Sequence, residues 1–325
     1  MSFYNKYFKY KKKYLYLKKI GGSNEVELVV DIGSTSTKIG WRLVNTDGNF
    51  LIKRFPYKDY LESVNILSVF SDPDTMPTKI LGFAHTHLNL PGVVKQIGWS
   101  LSGMVNTEDG SIIKSFALNN LAADGKNYDG YKLSQKLQEI LPEGAPTCKA
   151  SNDGVAAGVG IMELAKKNRF SLPCLSLCLG TGPAITVITD NEIYITEHKW
   201  NCKIAIPEGE EELFHVIGSE AVKNISDINF ANRIKESLKC LLKKYLNQFG
   251  WQPKSIVISG GLANRVDPLI VANDLVKAEN SPLISPIPKV YVLKGDDQQQ
   301  LQIQGAASYS KNFNLISVEN VYLTQ

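Results

Sequence analysis

Asp31-Ile-Gly-Ser-Thr-Ser-Thr-Lys38 follows the strand-like stretch Glu25-Val-Glu-Leu-Val-Val30 and leads into a second, Thr37–Val44. A strand that ends on a carboxylate and turns through glycine lets backbone N–H groups come close to a phosphate. On that reading Asp31 holds Mg²⁺ through water, and Gly33, Ser34 and Thr35 curve around the phosphates. Lys38 then adds positive charge or, as a residue of the outgoing strand, points away. The same residues suit an ordinary hairpin turn with a terminal Asp, and the segment alone does not separate the two readings.

Outward from this turn, Glu25–Val30, Thr37–Val44 and Asn49–Phe55 read as three strands of an antiparallel meander. A helix is expected around Tyr60–Phe70, and a strand pair, Lys95–Leu101 with Ser111–Lys114, around Asn106-Thr-Glu-Asp-Gly110. Tyr131–Ile140 reads as helix, Ala145–Ala150 as a short strand, and Asn152-Asp153 opens a helix over Gly154–Lys167. The plan then restarts. A buried strand Cys174–Leu179 meets a turn Gly180-Thr-Gly182, followed by Ala184–Thr189 and Glu192–Ile195 paired about Asp190-Asn191. Beyond come a long helix Ser226–Phe249 with Ser226 as N-cap, a strand Ser255–Ser259 and the turn Gly260-Gly261. A helix Asn264–Lys277, a strand Val290–Leu293 and a helix near Gln299–Tyr309 follow. Strands interleaved with helices, in two copies of one plan, predict an α/β protein of two related lobes facing a ligand cleft.

Asp153 suits either a helix cap or a general base that takes the proton of an attacking hydroxyl. Asn152 beside it could fix sugar hydroxyls. The Gly260-Gly261 backbone, free of side chains, suits packing against a nucleotide base or ribose, or a plain strand-to-helix turn.

The order of these elements, a DxGxTxxK turn, an Asn-Asp helix start, a Gly-Thr-Gly turn and a Gly-Gly turn, resembles the ROK family of sugar kinases in the actin-like ATPase (ribonuclease H-like) superfamily. Ile97-Gly-Trp-Ser-Leu-Ser-Gly103 with Val105–Gly110 resembles that family's glycine-rich strand and following turn. Ala117-Leu-Asn-Asn-Leu121, Ala150–Ala157 and Gln304-Gly-Ala-Ala307 are similar to further segments, so the likeness runs from about Glu27 to about Tyr309. It implies MgATP-dependent phosphorylation of a hexose or N-acylhexosamine, with Asp153 as base and Asn120, Asn152, Gly103 and Glu197 around the sugar. Asp31, Gly33, Ser34, Thr35, Lys38, Gly180, Thr181 and Gly182 then serve the phosphates and cation, and Gly260 and Gly261 the adenosine. The implied lobes are 25–153 with 295–325, and 154–294. Where the family carries E-x-G-H, this chain reads Thr196-Glu-His-Lys-Trp200, which puts His198 out of register. The family's zinc-binding cysteine cluster is missing, Cys202 and Cys240 standing alone, so no structural zinc is expected. Polyphosphate as donor and a non-catalytic sugar-binding or regulatory role are the alternatives. The family's transcriptional regulators carry a helix-turn-helix domain, for which Met1–Asn24 is too short.

The net charge of +4 arises at the start of the chain, because the first 24 residues hold seven lysines and no acid, leaving 29 basic against 32 acidic side chains. Phe3, Tyr7, Tyr10, Tyr14 and Leu17 fall on one helical stripe, so this arm could dock on an anionic surface or simply rest on the body. Its Lys/Tyr pattern resembles leaders on proteins of giant DNA viruses. No basic footprint for nucleic acid marks the body. The absence of a long apolar run or secretory signal predicts a cytoplasmic protein, in the host cytoplasm if viral. Oligomeric state is left open, a homodimer included. Five cysteines without regular spacing predict reduced, buried thiols. His85-Thr-His87 could face one way on a strand as a metal pair, though no third ligand lies nearby.

Overall fold

Glu25–Ile32 (β1) carries Val26, Leu28, Val29, Val30 and Ile32 among its acidic residues, and every residue after Glu25 is buried. Such a strand needs neighbours at both edges and cover on both faces. The computed structural model describes residues 24–46, 48–58, 65–146, 148–180, 182–190, 192–195, 202–206, 209–219, 221–271, 288–309 and 315–317. In it β2 (Ser36–Leu43) and β3 (Leu51–Pro56) continue from β1 as the expected antiparallel meander. On the other edge of β1 lies β4 (Val93–Leu101), parallel to it, and then β7 (Ala150–Asn152), parallel to β4. Of the two buried acidic groups inside β1, Glu27 meets Arg42, its cross-strand partner, at 2.7 Å. Such a pair offsets a desolvation cost that a lone carboxylate could not meet.

Several boundaries differ from expectation for identifiable reasons. Both edges of β4 are taken by parallel neighbours, so it cannot pair with Ser111–Lys114. Instead β6 (Ile112–Lys114) pairs with β5 (Met104–Val105) in a separate hairpin. Ala145–Ala150 stays outside the ladder until Ala150, because the Gln138 side chain accepts from Cys148 N at 2.9 Å in place of a strand partner. Within Tyr60–Phe70 the described residues hold a single 3-10 turn, Ile66–Val69, capped by Asn65; residues 59–64 lie outside the described set. An unforeseen helix, α1 (Met76–His87), follows, with Pro77 in its first turn, where a missing N–H costs nothing. It packs with α3 (Leu133–Ile140), which follows the short α2 (Phe116–Asn119). Ile80, Phe83, Leu137, Trp99 and Leu28 share one core.

The chain divides into two compact units, one ending at Asn152 with Ala306–Lys311 added, the other holding Asp153–Gly305 and the C-terminal residues. The second unit opens with α4 (Asp153–Lys166), followed by β8 (Cys174–Cys178), β9 (Ala184–Ile188) and β10 (Ile193–Ile195) as a meander. Parallel to β8 run β13 (Ser255–Ser259) and β14 (Lys289–Val292). The order β10-β9-β8-β13-β14 reproduces β3-β2-β1-β4-β7 of the first unit, and β15 (Leu315–Ser317) extends the second sheet beyond β10. The two copies read from the sequence are therefore two copies of one sheet.

The long helix, α6 (Asp227–Phe249), follows β11 (Lys203–Ile206), β12 (Gly209–Glu212) and the short α5 (Leu213–Ile217). It is capped as expected by Ser226, whose hydroxyl accepts from Asn229 N, and it ends on Gly250 at φ 71°. Phe230, Ile234, Leu238 and Leu241 bury against Leu175, Leu177 and Ile256 of the sheet. The helix expected over Asn264–Lys277 is broken. A 3-10 turn, Ala263–Arg265, gives way to Asp267-Pro268, helix resumes over 268–271, and residues 272–287 lie outside the described set. The last helix, α7, spans Gly295–Tyr309.

Cys202 and Cys240 do not stand alone: they form a disulfide with Cα atoms 5.9 Å apart, tying the segment before β11 to α6. Two positions 38 apart in sequence give no local sign of such a meeting. Cys148, Cys174 and Cys178 are the buried thiols expected, and burial pushes Cys148 up to about 12. Under denaturing, non-reducing alkylation three thiols should react, and five after reduction. Closing a loop of that length predicts that Cys240→Ser destabilises the fold by about 4 kcal/mol on the chain-entropy model. Denaturant titration of the two proteins checks this, and equal midpoints would mean that the link contributes nothing.

Candidate active site

Parallel strands in register end together, and this brings the motifs of the first unit to one sheet edge. Ile32 pairs with Leu101 and Leu101 with Asn152, and one row back Asp31 pairs with Ser100 and Ser100 with Ser151. The turn after β1, the turn after β4 and the step from Asn152, which ends β7, to Asp153 therefore all lie at the carboxyl end of the sheet. Ligands of open α/β sheets gather at this end.

Asp31 is buried at that edge, and both carboxylate oxygens are engaged. Lys38 Nζ donates to Oδ2 at 2.7 Å and Ser100 Oγ donates to Oδ1 at 3.0 Å. Lys38 thus does not point away. As the cross-strand partner of Asp31 it lies on the same face, which returns its ammonium to the turn. Gly33 N–H closes the turn on Ser36 O at 3.0 Å, leaving Ser34 and Thr35 exposed at its tip.

Asn152 Nδ2 donates to Gly103 O at 2.6 Å, which links the ends of β7 and β4. A Cβ on Gly103 would lie 2.6 Å from Lys114 O, so the β5–β6 hairpin packs on a backbone that only glycine leaves bare. Of the two neighbouring amides, Asn119 is spent on structure, donating to Asp129 at 2.9 Å and accepting from Tyr128 N at 2.8 Å. Asn120 is exposed. Asp153 is the first residue of α4, half-buried, and its Oδ1 accepts from Gly154 N at 2.9 Å.

In the second unit the two glycine turns meet. Leu179 N donates to Ser259 O at 2.7 Å, and Leu262 N donates back to Leu179 O at 3.3 Å. Gly260 sits at φ 96°, and a Cβ there would lie 2.2 Å from Leu179 O, so both the conformation and the close approach demand glycine. Among the described residues a Cβ on Gly182 or Gly261 would meet nothing within 4 Å, so the backbone there is open. Thr181 lies outside the described residues, as do Thr196–Trp200 with Glu197 and His198.

His85 and His87 are not on a strand. They end α1, two residues apart, where successive side chains diverge around the helix, and His87 packs on Phe83 with ring centroids 4.3 Å apart. Three groups escaped sequence reasoning: Ser100, Tyr57 and Arg54. Tyr57 OH donates to Gly33 O at 3.0 Å, lies 3.0 Å from Thr37 Oγ1, and its backbone N–H donates to Thr35 O at 3.0 Å. Arg54 Nε donates to Ser36 Oγ at 3.0 Å. All three depend on register between strands, for which the sequence carried no local signal.

No family model and no curated protein sequence matches the chain. Solved structures do. A protein of Listeria monocytogenes provisionally assigned as an N-acetylmannosamine kinase is similar with a TM-score of 0.60 and 18% identity, over 88% of this chain and 98% of that one. A ROK-family glucokinase from Streptomyces griseus, in complex with glucose and AMPPNP, gives 0.56 at 15% identity over 88% and 99%. A ROK-family transcriptional regulator homologous to the E. coli MLC protein gives 0.58 at 14% over 88% and 79%. The fold is thus the α/β actin-like ATPase fold of ROK sugar kinases, and identities this low establish the fold alone.

Proposed function

We propose that this chain is a sugar kinase that moves the terminal phosphoryl group of MgATP to a hydroxyl of a hexose or N-acylhexosamine. The observation that carries the reading is the in-register edge of β1, β4 and β7, which brings Asp31–Thr35 and Asn152-Asp153 to one side of one sheet. A phosphate turn and a carboxylate at a helix start are each common. Their delivery to the same edge supports phosphoryl transfer to a nearby hydroxyl.

The open backbone at Gly182 and Gly261 fits the approach of a nucleotide, with Gly180, Thr181 and Gly260 completing that side. Gly33, Ser34 and Thr35 would hold phosphate, and Lys38 would lend positive charge. Asp31, fixed by Lys38 and Ser100, would meet Mg²⁺ through water. Bound MgATP supplies the phosphoryl group and the cation that neutralises its charge. Asp153 accepts the proton of the acceptor hydroxyl as that oxygen attacks, while Asn152, Asn120, Gly103 and Glu197 orient the sugar. Among the described residues no helix is long and apolar enough to cross a membrane.

A coupled assay over a panel of hexoses and N-acylhexosamines, with MgATP or polyphosphate as donor, tests the reading. Transfer to at least one sugar, dependent on divalent cation, is expected with ATP. Transfer from polyphosphate alone would reassign the donor. Sugar binding by calorimetry without transfer from either donor would replace the kinase by a binding or regulatory protein.

A further inference from the structure

β3 ends on Pro56, which has no N–H to offer, so the ladder beside the phosphate turn must be continued by the next residue. Tyr57 does this, its N–H reaching Thr35 O at 3.0 Å. Its side chain then folds back over the same turn. The phenol donates to Gly33 O at 3.0 Å, which leaves the Thr37 hydroxyl, 3.0 Å away and fully buried, to donate to the phenol oxygen. One residue from an edge strand thus grips the turn at its first, third and fifth positions.

We infer that Tyr57 is a positioning residue for nucleotide binding: it fixes the Gly33 and Thr35 carbonyls outward, so that the intervening amides keep the concave face a phosphate needs. The inference rests on the kinase reading of this turn. Ser34 and Thr35 are exposed at the tip and are not buried in the core, so the turn's shape depends on hydrogen bonds to its flanks. Gly33 N–H to Ser36 O closes the turn from within, Arg54 Nε holds the Ser36 hydroxyl from β3 at 3.0 Å, and Tyr57 ties the Gly33 and Thr35 carbonyls from outside. Burial, and then the nearby Asp31 charge, push the phenol well above the ordinary tyrosine range, against the opposing effect of Thr37. The group therefore stays a neutral donor at any working pH.

Tyr57→Phe removes only the hydroxyl and keeps the ring and the backbone bond to Thr35. It leaves the Gly33 carbonyl and the buried Thr37 hydroxyl short of a partner, an effect expected to weaken AMPPNP–Mg²⁺ binding by roughly tenfold. KM for ATP should rise in step, while KM for the sugar stays within about twofold, a split that general loss of packing would not produce. Amide hydrogen exchange, read on the full chain without ligand, should speed up over Gly33–Thr37 and stay unchanged over β8–β9. Unchanged exchange over that turn would overturn the inference whatever the protein binds. Unchanged nucleotide affinity in a wild type that binds AMPPNP would overturn it as well. If the wild type binds no nucleotide, the kinase reading fails, and the exchange result alone then decides whether Tyr57 holds the turn. Thr37→Ser, which keeps the hydroxyl, should behave as wild type in both measurements, and Thr37→Val should fall between.

Discussion

Asp153→Asn is expected to lower phosphoryl transfer by about 10²–10⁴-fold, the range that a positioned general base contributes, while sugar and nucleotide still bind. The substitution keeps the size of the side chain, and the amide oxygen can accept from Gly154 N as the carboxylate does at 2.9 Å. The start of α4 should therefore stay intact. What is lost is the ability to hold a proton taken from the acceptor hydroxyl as its oxygen attacks. The effect should fall on kcat, with KM for both substrates changed little, because the missing interaction exists only as the proton moves. Converted to a barrier, the range is roughly 3–5 kcal/mol. Steady-state kinetics on whichever sugar the wild type accepts gives the answer, and a variant with wild-type kcat would remove Asp153 from the chemistry. Thermal unfolding of the two proteins should coincide, which separates a lost base from a lost fold.

How far this site could be read in advance depended on distance along the chain. The turn Asp31–Lys38 was legible because strand, carboxylate and glycine are adjacent in sequence, and the glycines at 180, 182, 260 and 261 because they directly follow strand-like runs. The duplication was legible because each meander is built from short-range hairpins. The partners of Asp31 were not. Ser100 lies 69 residues away, and it reaches Asp31 through the register of a parallel pair, which a periodic pattern does not encode. The Cys202–Cys240 link and the Tyr57 clasp were hidden likewise, by packing of distant segments. α1 was hidden by its own composition. Met76-Pro-Thr-Lys-Ile-Leu-Gly-Phe-Ala-His-Thr-His87 has proline and glycine where a helix reader expects breaks, and its closing His-Thr-His mimics the alternation of a strand. Tertiary cover of Ile80, Phe83 and Ala84 overrides those local signals.

Gly305→Ala is expected to produce the largest loss of stability of any single methyl group considered in the second unit. A Cβ at Gly305 would lie 1.7 Å from Ala156 O and 2.8 Å from Gly160 N, and one at Gly160 would lie 2.2 Å from Leu301 O. α4 and α7 therefore touch backbone to backbone, with a glycine from each at the crossing. No flexible side chain can step aside, so the penalty belongs at the upper end of overpacking, about 3 kcal/mol or more. Alanine's better helix propensity returns only about 1 kcal/mol of this. Gly250→Ala is the matched contrast. Gly250 has φ 71° but open space around it, so only the left-handed conformation is at stake, about 1 kcal/mol. Denaturant midpoints should rank wild type, Gly250→Ala and Gly305→Ala in descending order, and a Gly305→Ala protein as stable as wild type would mean that the helices do not meet at this distance. The same contact links packing to chemistry. α4 begins at Asp153, so a methyl group that forces the helix off α7 also moves the proposed base. A displacement near 1 Å is enough to cost about 100-fold in rate. Gly305→Ala should thus lose both stability and kcat, whereas Asp153→Asn loses kcat alone, and that difference tells a base that is missing from one that is misplaced.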